Sequence, residues 1–172
     1  MTEEEVANTA VLSGKNNEQV EKGMSGTIDS ENTISGTTPS LPGKTVLLVE
    51  DNEEIRSYVK GHLEQYYNVL EADNGSDAFE IVLKEFPDLV VTDIMMPGID
   101  GLELCALIKN NLQTGHIPVI LLTARTMVMH VKEGFLSGAD DYVVKPFNID
   151  VLLVRIYNLL APVSYTHLRA HE

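Results

Sequence analysis

Cysteine, long apolar runs and basic residues are all scarce in this sequence of 172 residues. Its single cysteine, Cys105, excludes an internal disulfide and a zinc site built from cysteines, and it agrees with a reducing compartment. No apolar run approaches the roughly 18 residues that a membrane-spanning helix requires. The start, Met-Thr-Glu-Glu-Glu, is acidic where a secretory signal would be basic. We therefore expect a cytoplasmic protein that does not enter a membrane.

Basic residues are outnumbered, with 12 Lys and Arg against 26 Asp and Glu and a formal net charge of -14. The excess of acid holds in residues 1–43 and in residues 44–161 separately, so no basic arm is concealed by the average. Contacts with nucleic acid phosphates require clustered Lys and Arg, so we expect no direct nucleic acid binding by this segment. The acidity is compatible with cations, basic protein surfaces, or phosphoryl chemistry organised around a metal.

The chain divides into three parts by composition. Residues 1–43 are rich in Ser, Thr, Gly, Asn and Glu and lack aromatic residues, so they cannot offset the entropy cost of ordering and are predicted to form a flexible acidic linker. Residues 44–161 carry regular apolar patterns and are predicted to form one folded domain. Residues 162–172 begin with a proline that ends the last helical pattern and resemble translated sequencing-adapter read-through, which predicts a non-native or disordered tail.

Five runs of strand length alternate with segments of helical spacing in the predicted domain. The runs are 45–49, 67–72, 88–93, 117–123 and 142–144. Apolar residues recur at helical spacing between them, as in Ile55, Val59 and Leu63, and again over 128–135. Continuous apolar strands separated by amphipathic helices indicate a parallel sheet covered on both faces. The predicted fold class is therefore α/β, a doubly wound five-stranded parallel sheet with helices on both faces.

Polar side chains follow four of these strands, at the edge of the sheet where ligands of such folds bind. They are Glu50 and Asp51 after the first strand, Asp93 after the third, Thr123 after the fourth and Lys145 after the fifth. Three carboxylates this close would raise one another's pKa unless a cation neutralised them, and Mg²⁺ prefers such hard oxygen ligands. Each residue alone also fits a helix cap or a solvated surface charge. All five at one edge favour a site for phosphoryl transfer.

The loop after Asp93 has a Pro-Gly turn and a closing glycine, which predicts a fixed conformation over 94–101. Such a loop can offer a backbone carbonyl to a metal and keep the carboxylate of Asp93 available for attack on phosphorus. Lys145 could then neutralise the transferred group, while Thr123 and the backbone amide of Ala124 donate hydrogen bonds to its oxygens.

Four segments closely resemble the receiver domain of two-component response regulators. They are LVEDN at 48–52, TDIMMPGIDG at 92–101, LTA at 122–124 and YVVKPF at 142–147. The resemblance covers residues 44–161 and implies the flavodoxin-like fold of the receiver type. It implies a signalling module, not an enzyme, that takes a phosphoryl group from the phosphohistidine of a histidine kinase or phosphotransfer domain. The segments NIDVLLVRI at 148–156 and TAR at 123–125 look most like those in receivers of bacterial hybrid sensor kinases, in which residues 1–43 would link to an upstream kinase core.

The resemblance also assigns the metal site. It implies that Asp93 is the phosphoacceptor and that Glu50, Asp51, Asp93 and the backbone carbonyl of Met95 hold Mg²⁺. Glu50 departs from the commonest pattern of the family, in which the first acid is Asp. Its side chain is longer, and the residue at this position often contacts the metal through a water molecule.

By the same resemblance, Thr123 and Lys145 contact the phosphoryl group, and Thr123 and Tyr142 form a switch. Inward movement of Thr123 would vacate space that the ring of Tyr142 could fill. The face made by 125–135, the fifth strand and 149–160 would then change shape and mediate homodimerisation or output binding.

Three alternatives remain. A phosphatase or phosphotransferase of the haloacid-dehalogenase type also uses an aspartate nucleophile, but it places a second acid where this chain has Met95. A flavodoxin-like FMN protein needs a phosphate loop after the first strand, where the acids of 50–54 would repel phosphate. A degenerate receiver would not retain the complete set of acids, Thr123 and Lys145.

Overall fold

The computed structural model of the chain describes residues 40–124 and 138–162. Within these ranges the strands are β1 (Thr45–Val49), β2 (Asn68–Ala72), β3 (Leu89–Asp93), β4 (Val119–Ala124) and β5 (Asp141–Lys145). The helices are α1 (Glu53–Leu63), α2 (Gly75–Glu85), α3 (Gly101–Asn110) and α4 (Ile149–Leu160). Residues 1–39 of the predicted linker, the predicted helical segment 128–135 and residues 163–172 of the predicted tail lie outside the described residues.

The five strands form one parallel sheet in the order β2-β1-β3-β4-β5. The chain order reverses between β1 and β3, which is the place where parallel α/β sheets form a ligand-binding crevice. Val49 of β1 pairs with Thr92 of β3, and Ala124 of β4 pairs with Lys145 of β5. The predicted fold class is confirmed, and the strand ends that carry the candidate residues lie at one edge.

Helices cover both faces of the sheet, because successive strand residues point to opposite sides. On one side Leu47 and Val49 pack against α2 and α3, and on the other Val46 and Leu48 pack against α1 and α4. Buried helix residues on the first side are Ala78, Val82, Leu104, Cys105 and Ile108, and those on the second are Val59, Leu63, Leu152, Leu153 and Ile156. In the described part of the chain, no helix has the length and apolar character needed to cross a membrane.

Three strands, β2, β3 and β4, begin one or two residues later than their apolar runs predict, and for β2 and β4 the difference has a local cause. β4 begins at Val119 because Pro118 has no N–H to contribute to the ladder. β2 begins at Asn68 because the N–H of Tyr67 still donates to the carbonyl of Leu63 at the end of α1, at 2.9 Å.

Each described helix begins after an Asn or Asp cap. The cap side chains accept hydrogen bonds from first-turn N–H groups, and they belong to Asn52, Asn74, Asp100 and Asn148. Such a cap typically contributes about 1 kcal/mol. The caps at 52 and 100 anchor the far ends of the loops that follow β1 and β3, which are the loops that carry the candidate site.

Candidate functional site

Three carboxylates meet where β1 and β3 end. Oxygens of Glu50, Asp51 and Asp93 all lie within 4.8 Å of one another, and Asp51 is exposed whereas the other two are buried. They converge because β1 and β3 are neighbours, with the last residue of β1 paired to the residue before Asp93. Hard oxygen donors of this kind, one of them open to solvent, fit a Mg²⁺ ion that keeps part of its water shell.

The ammonium of Lys145 reaches this cluster from the end of β5. Its Nζ lies 2.9 Å from Glu50 Oε2 and 3.2 Å from Asp93 Oδ2. The side chains of Glu50 and Asp93 are only 3% and 10% exposed, so both ion pairs are shielded from water far better than a surface pair. One positive charge faces three negative charges, which leaves a net negative site that a divalent cation would compensate.

Burial and neighbouring charges set the ionisation of two of these groups. Burial raises the pKa of Glu50, the charge of Asp93 adds to the effect, and the hydrogen bond from Lys145 opposes it. Burial acts to lower the pKa of Lys145, but its hydrogen bond to Glu50 and the charges of Asp93 and Glu50 outweigh it, so this pKa is raised. Lys145 therefore stays protonated at neutral pH, and the charged form of Glu50 would gain from an added cation.

Glu50 is held through backbone and side chain together. Its N–H donates to the carbonyl of Ala72 on β2 at 3.1 Å, and its Oε1 accepts from the N–H of Asn52 at 3.2 Å. Its carbonyl accepts from Nη1 of Arg56 at 2.8 Å. Arg56 is not among the site residues predicted from the sequence. A basic residue near the start of a helix is unfavourable to the helix dipole, which favours acids there. The position of Arg56 near the start of α1 could therefore have indicated a specific contact.

Asp93 is held by its own loop. Only 7% of the residue is exposed, and the N–H of Met95 donates to its Oδ1 at 3.4 Å. Two glycines let the loop lie directly on α2 and α3: a Cβ on Gly75 would come within 2.4 Å of the carbonyl oxygen of Ile99, and one on Gly101 within 2.2 Å of that of Asp93. Backbone packing therefore positions the carboxylate, while the role of the Met95 carbonyl as a metal ligand stays a prediction.

The two residues of the predicted switch border the same side of the sheet. Thr123 is fully buried, and its hydroxyl donates to the carbonyl of Ala124 at 3.3 Å. Tyr142 pairs with Leu121, two residues before Thr123 on β4, and its half-buried side chain packs against the core on the side of α2 and α3. Their movement on phosphorylation stays a prediction.

Comparison with known proteins agrees with this geometry. Residues 46–157 match the model of the family described as the response regulator receiver domain. The chain is 41% identical over 130 residues to Histidine kinase P4 of Formosa agariphila, covering 76% of this chain and 10% of that protein. It is 44% identical over 117 residues to Transcriptional regulatory protein AfsQ1 of Streptomyces coelicolor, covering 67% of this chain and 51% of that protein. The chain thus spans about half the length of one curated relative and about a tenth of the other.

A solved structure gives the same result. The signal receiver domain of a signal transduction histidine kinase from Syntrophus aciditrophicus is similar with a TM-score of 0.66 and 32% sequence identity. The match covers 74% of this chain and 98% of that chain.

Proposed function

The chain belongs to the response regulator receiver family, and from that membership we propose that it accepts a phosphoryl group on Asp93 in two-component signalling. The observation that carries the proposal is the meeting of Lys145, Glu50 and Asp51 around this buried carboxylate. Phosphoryl transfer depends chiefly on positioning and charge compensation, which this arrangement supplies.

Mg²⁺ is the proposed metal, supported by the donor set of Glu50, Asp51 and Asp93, with the carbonyl of Met95 as the predicted fourth ligand. When bound, the ion compensates charge on the transferring phosphoryl oxygens and on the carboxylates. Glu50 also holds the ammonium of Lys145, so its longer side chain serves the metal site and the ion pair together.

In the transfer, an oxygen of Asp93 attacks the phosphorus of a phosphohistidine on a histidine kinase or phosphotransfer domain. The new O–P bond forms as the N–P bond breaks, and the imidazole leaves with the electron pair. Lys145, already 3.2 Å from Asp93, neutralises one phosphoryl oxygen. The hydroxyl of Thr123 gives up its hydrogen bond to the carbonyl of Ala124 and donates to a second phosphoryl oxygen. The backbone amide of Ala124 also donates a hydrogen bond to the phosphoryl group.

The response to this transfer is proposed to appear at β5 and α4. Phosphorylation adds about two negative charges, Thr123 moves toward them, and the ring of Tyr142 turns into the space left behind. A groove on the outer side of β5 and α4 is lined by Asp141, Tyr142, Pro146, Phe147, Val151 and Arg155. Val151, one of these lining residues, is 45% exposed, and Val154 on the same helix is 47% exposed. We propose this face, with the segment 125–135, as the homodimerisation or output surface.

The role in the whole protein is a further part of the proposal. The match to Histidine kinase P4 supports a receiver that is part of a hybrid kinase, in which residues 1–43 would serve as the linker. The described segment itself would then be a cytoplasmic signalling module with no catalytic activity beyond its own Mg²⁺-dependent phosphorylation and dephosphorylation.

Intact mass spectrometry tests the assignment. Incubation with Mg²⁺ and acetyl phosphate should add one phosphoryl group to the wild type and none to Asp93→Asn. A matched control is Asp73→Asn, because Asp73 is an exposed acid that likewise follows a strand but lies outside the three-carboxylate cluster. Equal phosphorylation of Asp93→Asn and the wild type would refute the proposal.

A further inference from the structure

Arg56 links the acidic site to the neighbouring strand. Its Nη1 donates to the carbonyl of Glu50 at 2.8 Å, and its Nε donates to Oε1 of Glu71 on β2 at 3.2 Å. Its side chain is only 16% exposed. One guanidinium therefore spans the loop after β1 and the side chain of a residue on the adjacent strand.

The peptide that Arg56 contacts is the one that joins the first two acids of the site. Its carbonyl belongs to Glu50 and its N–H to Asp51, so its orientation decides where both carboxylates are presented. On the other side, the N–H of Glu50 donates to the carbonyl of Ala72 at 3.1 Å. Both backbone polar groups of Glu50 are thus fixed from β2 and α1, and Arg56 supplies one of these two restraints.

We propose that Arg56 is a positioning residue for the metal site, which it serves by holding the Glu50–Asp51 peptide in the orientation that directs both carboxylates to the cation. This inference rests on the proposed function, since it concerns the same acidic site. Groups that orient the ligands of a metal typically change its affinity by about 10- to 100-fold when they are removed.

The alternative is a structural ion pair between α1 and β2 with no effect on the site. Glu71 already has a second cation in Lys60, which also pairs with Glu64. Pairing with Glu71 therefore does not depend on Arg56, whereas the bond to the carbonyl of Glu50 does. The planar guanidinium presents donors to both acceptors at once, which an ammonium on a flexible stem does not do equally well.

A Mn²⁺ titration followed by electron paramagnetic resonance separates the two explanations. We expect Arg56→Ala to bind Mn²⁺ about 10- to 100-fold more weakly than the wild type. Arg56→Lys should lose less, because its ammonium can satisfy one acceptor. Lys60→Met is the matched control: it removes a cation from Glu71 and leaves the carbonyl of Glu50 bonded, so its Mn²⁺ affinity should match the wild type.

A measurement without metal distinguishes a local change at the site from a general loss of folding. In ¹H–¹⁵N spectra the amide signal of Asp51, which shares its peptide with the Glu50 carbonyl, should move in both Arg56 variants and stay in place in Lys60→Met. Should Arg56→Ala fail to fold, Arg56→Lys carries both measurements.

Wild-type Mn²⁺ affinity in the Arg56 variants, or an equal loss in Lys60→Met, would overturn the positioning role and leave the proposed function intact. A wild type that neither binds Mn²⁺ nor takes up phosphoryl groups would overturn the proposed function and this inference with it.

Discussion

Replacing Gly101 by alanine tests how tightly the loop after Asp93 is packed. The added Cβ would lie 2.2 Å from the carbonyl oxygen of Asp93 and 2.8 Å from the Cα of Ile94. Both neighbours are backbone atoms, so no flexible side chain can yield. To reach even 3.0 Å, a separation that real Cβ contacts rarely undercut, α3 and the end of β3 must move apart by about 0.8 Å.

The expected cost follows from two opposing effects. Overpacking of this kind costs about 1–3 kcal/mol, and the upper end applies where backbone must move. Alanine is favoured over glycine inside a helix by at most about 1 kcal/mol, and less at the first residue of α3. The net loss of unfolding free energy should be about 2 kcal/mol, which corresponds to a fall in Tm of roughly 6–12 °C for a domain of this size.

Urea and thermal unfolding of the full chain measure this difference. Gly61→Ala is the matched control, because Gly61 lies inside α1 and a Cβ there would meet nothing within 4 Å. The same substitution should therefore stabilise the protein at that position by about 0.5–1 kcal/mol. A Gly101→Ala variant as stable as the wild type would refute the conclusion that backbone packing positions Asp93.

Three further variants, at Lys145, Tyr142 and Glu71, test other parts of the structure. Lys145→Ala leaves the buried carboxylates of Glu50 and Asp93 without their ammonium. Mg²⁺ should therefore raise the Tm of this variant more than that of the wild type. An equal or smaller shift would contradict the conclusion that Lys145 compensates the charge of these carboxylates. In the same variant, amide hydrogen exchange should respond only weakly to phosphorylation. Tyr142→Ala should lose the change in sedimentation that a phosphoryl mimic produces in the wild type, and an identical shift in both proteins would exclude the ring from the switch. The hydrogen bond from Lys60 lowers the pKa of Glu71 below its ordinary 4.5, so the stability it contributes is present above that pH and is lost as pH falls through the lower folded value. In Glu71→Gln, the unfolding free energy measured with urea should depend less on pH below about pH 4.5 than in the wild type. An unchanged pH dependence would count against the ion pair between Lys60 and Glu71.

Much of the fold could be predicted from individual segments. A strand buried on both faces needs a continuous apolar run, and a helix lying on the sheet needs an apolar stripe, so each segment carries its own signal. The positions of Glu50, Asp93, Thr123 and Lys145 at strand ends were readable for the same reason. Pro118 and Tyr67 moved two strand boundaries because hydrogen bonding, which hydropathy does not record, decides where a ladder begins.

The sequence by itself thus determined the order of the elements, the fold class and the edge where polar residues gather. Only the tertiary structure decided which of these groups meet. Glu50 and Lys145 pair across 95 positions of sequence, and Arg56 reaches Glu71 because β2 lies beside β1. The close approach of Gly101 to Asp93 likewise depends on how α3 packs against the sheet. The apolar pattern that predicts a strand or a helix lies within one segment, whereas an ion pair or a backbone contact joins two distant segments and exists only once strand order and helix packing are set.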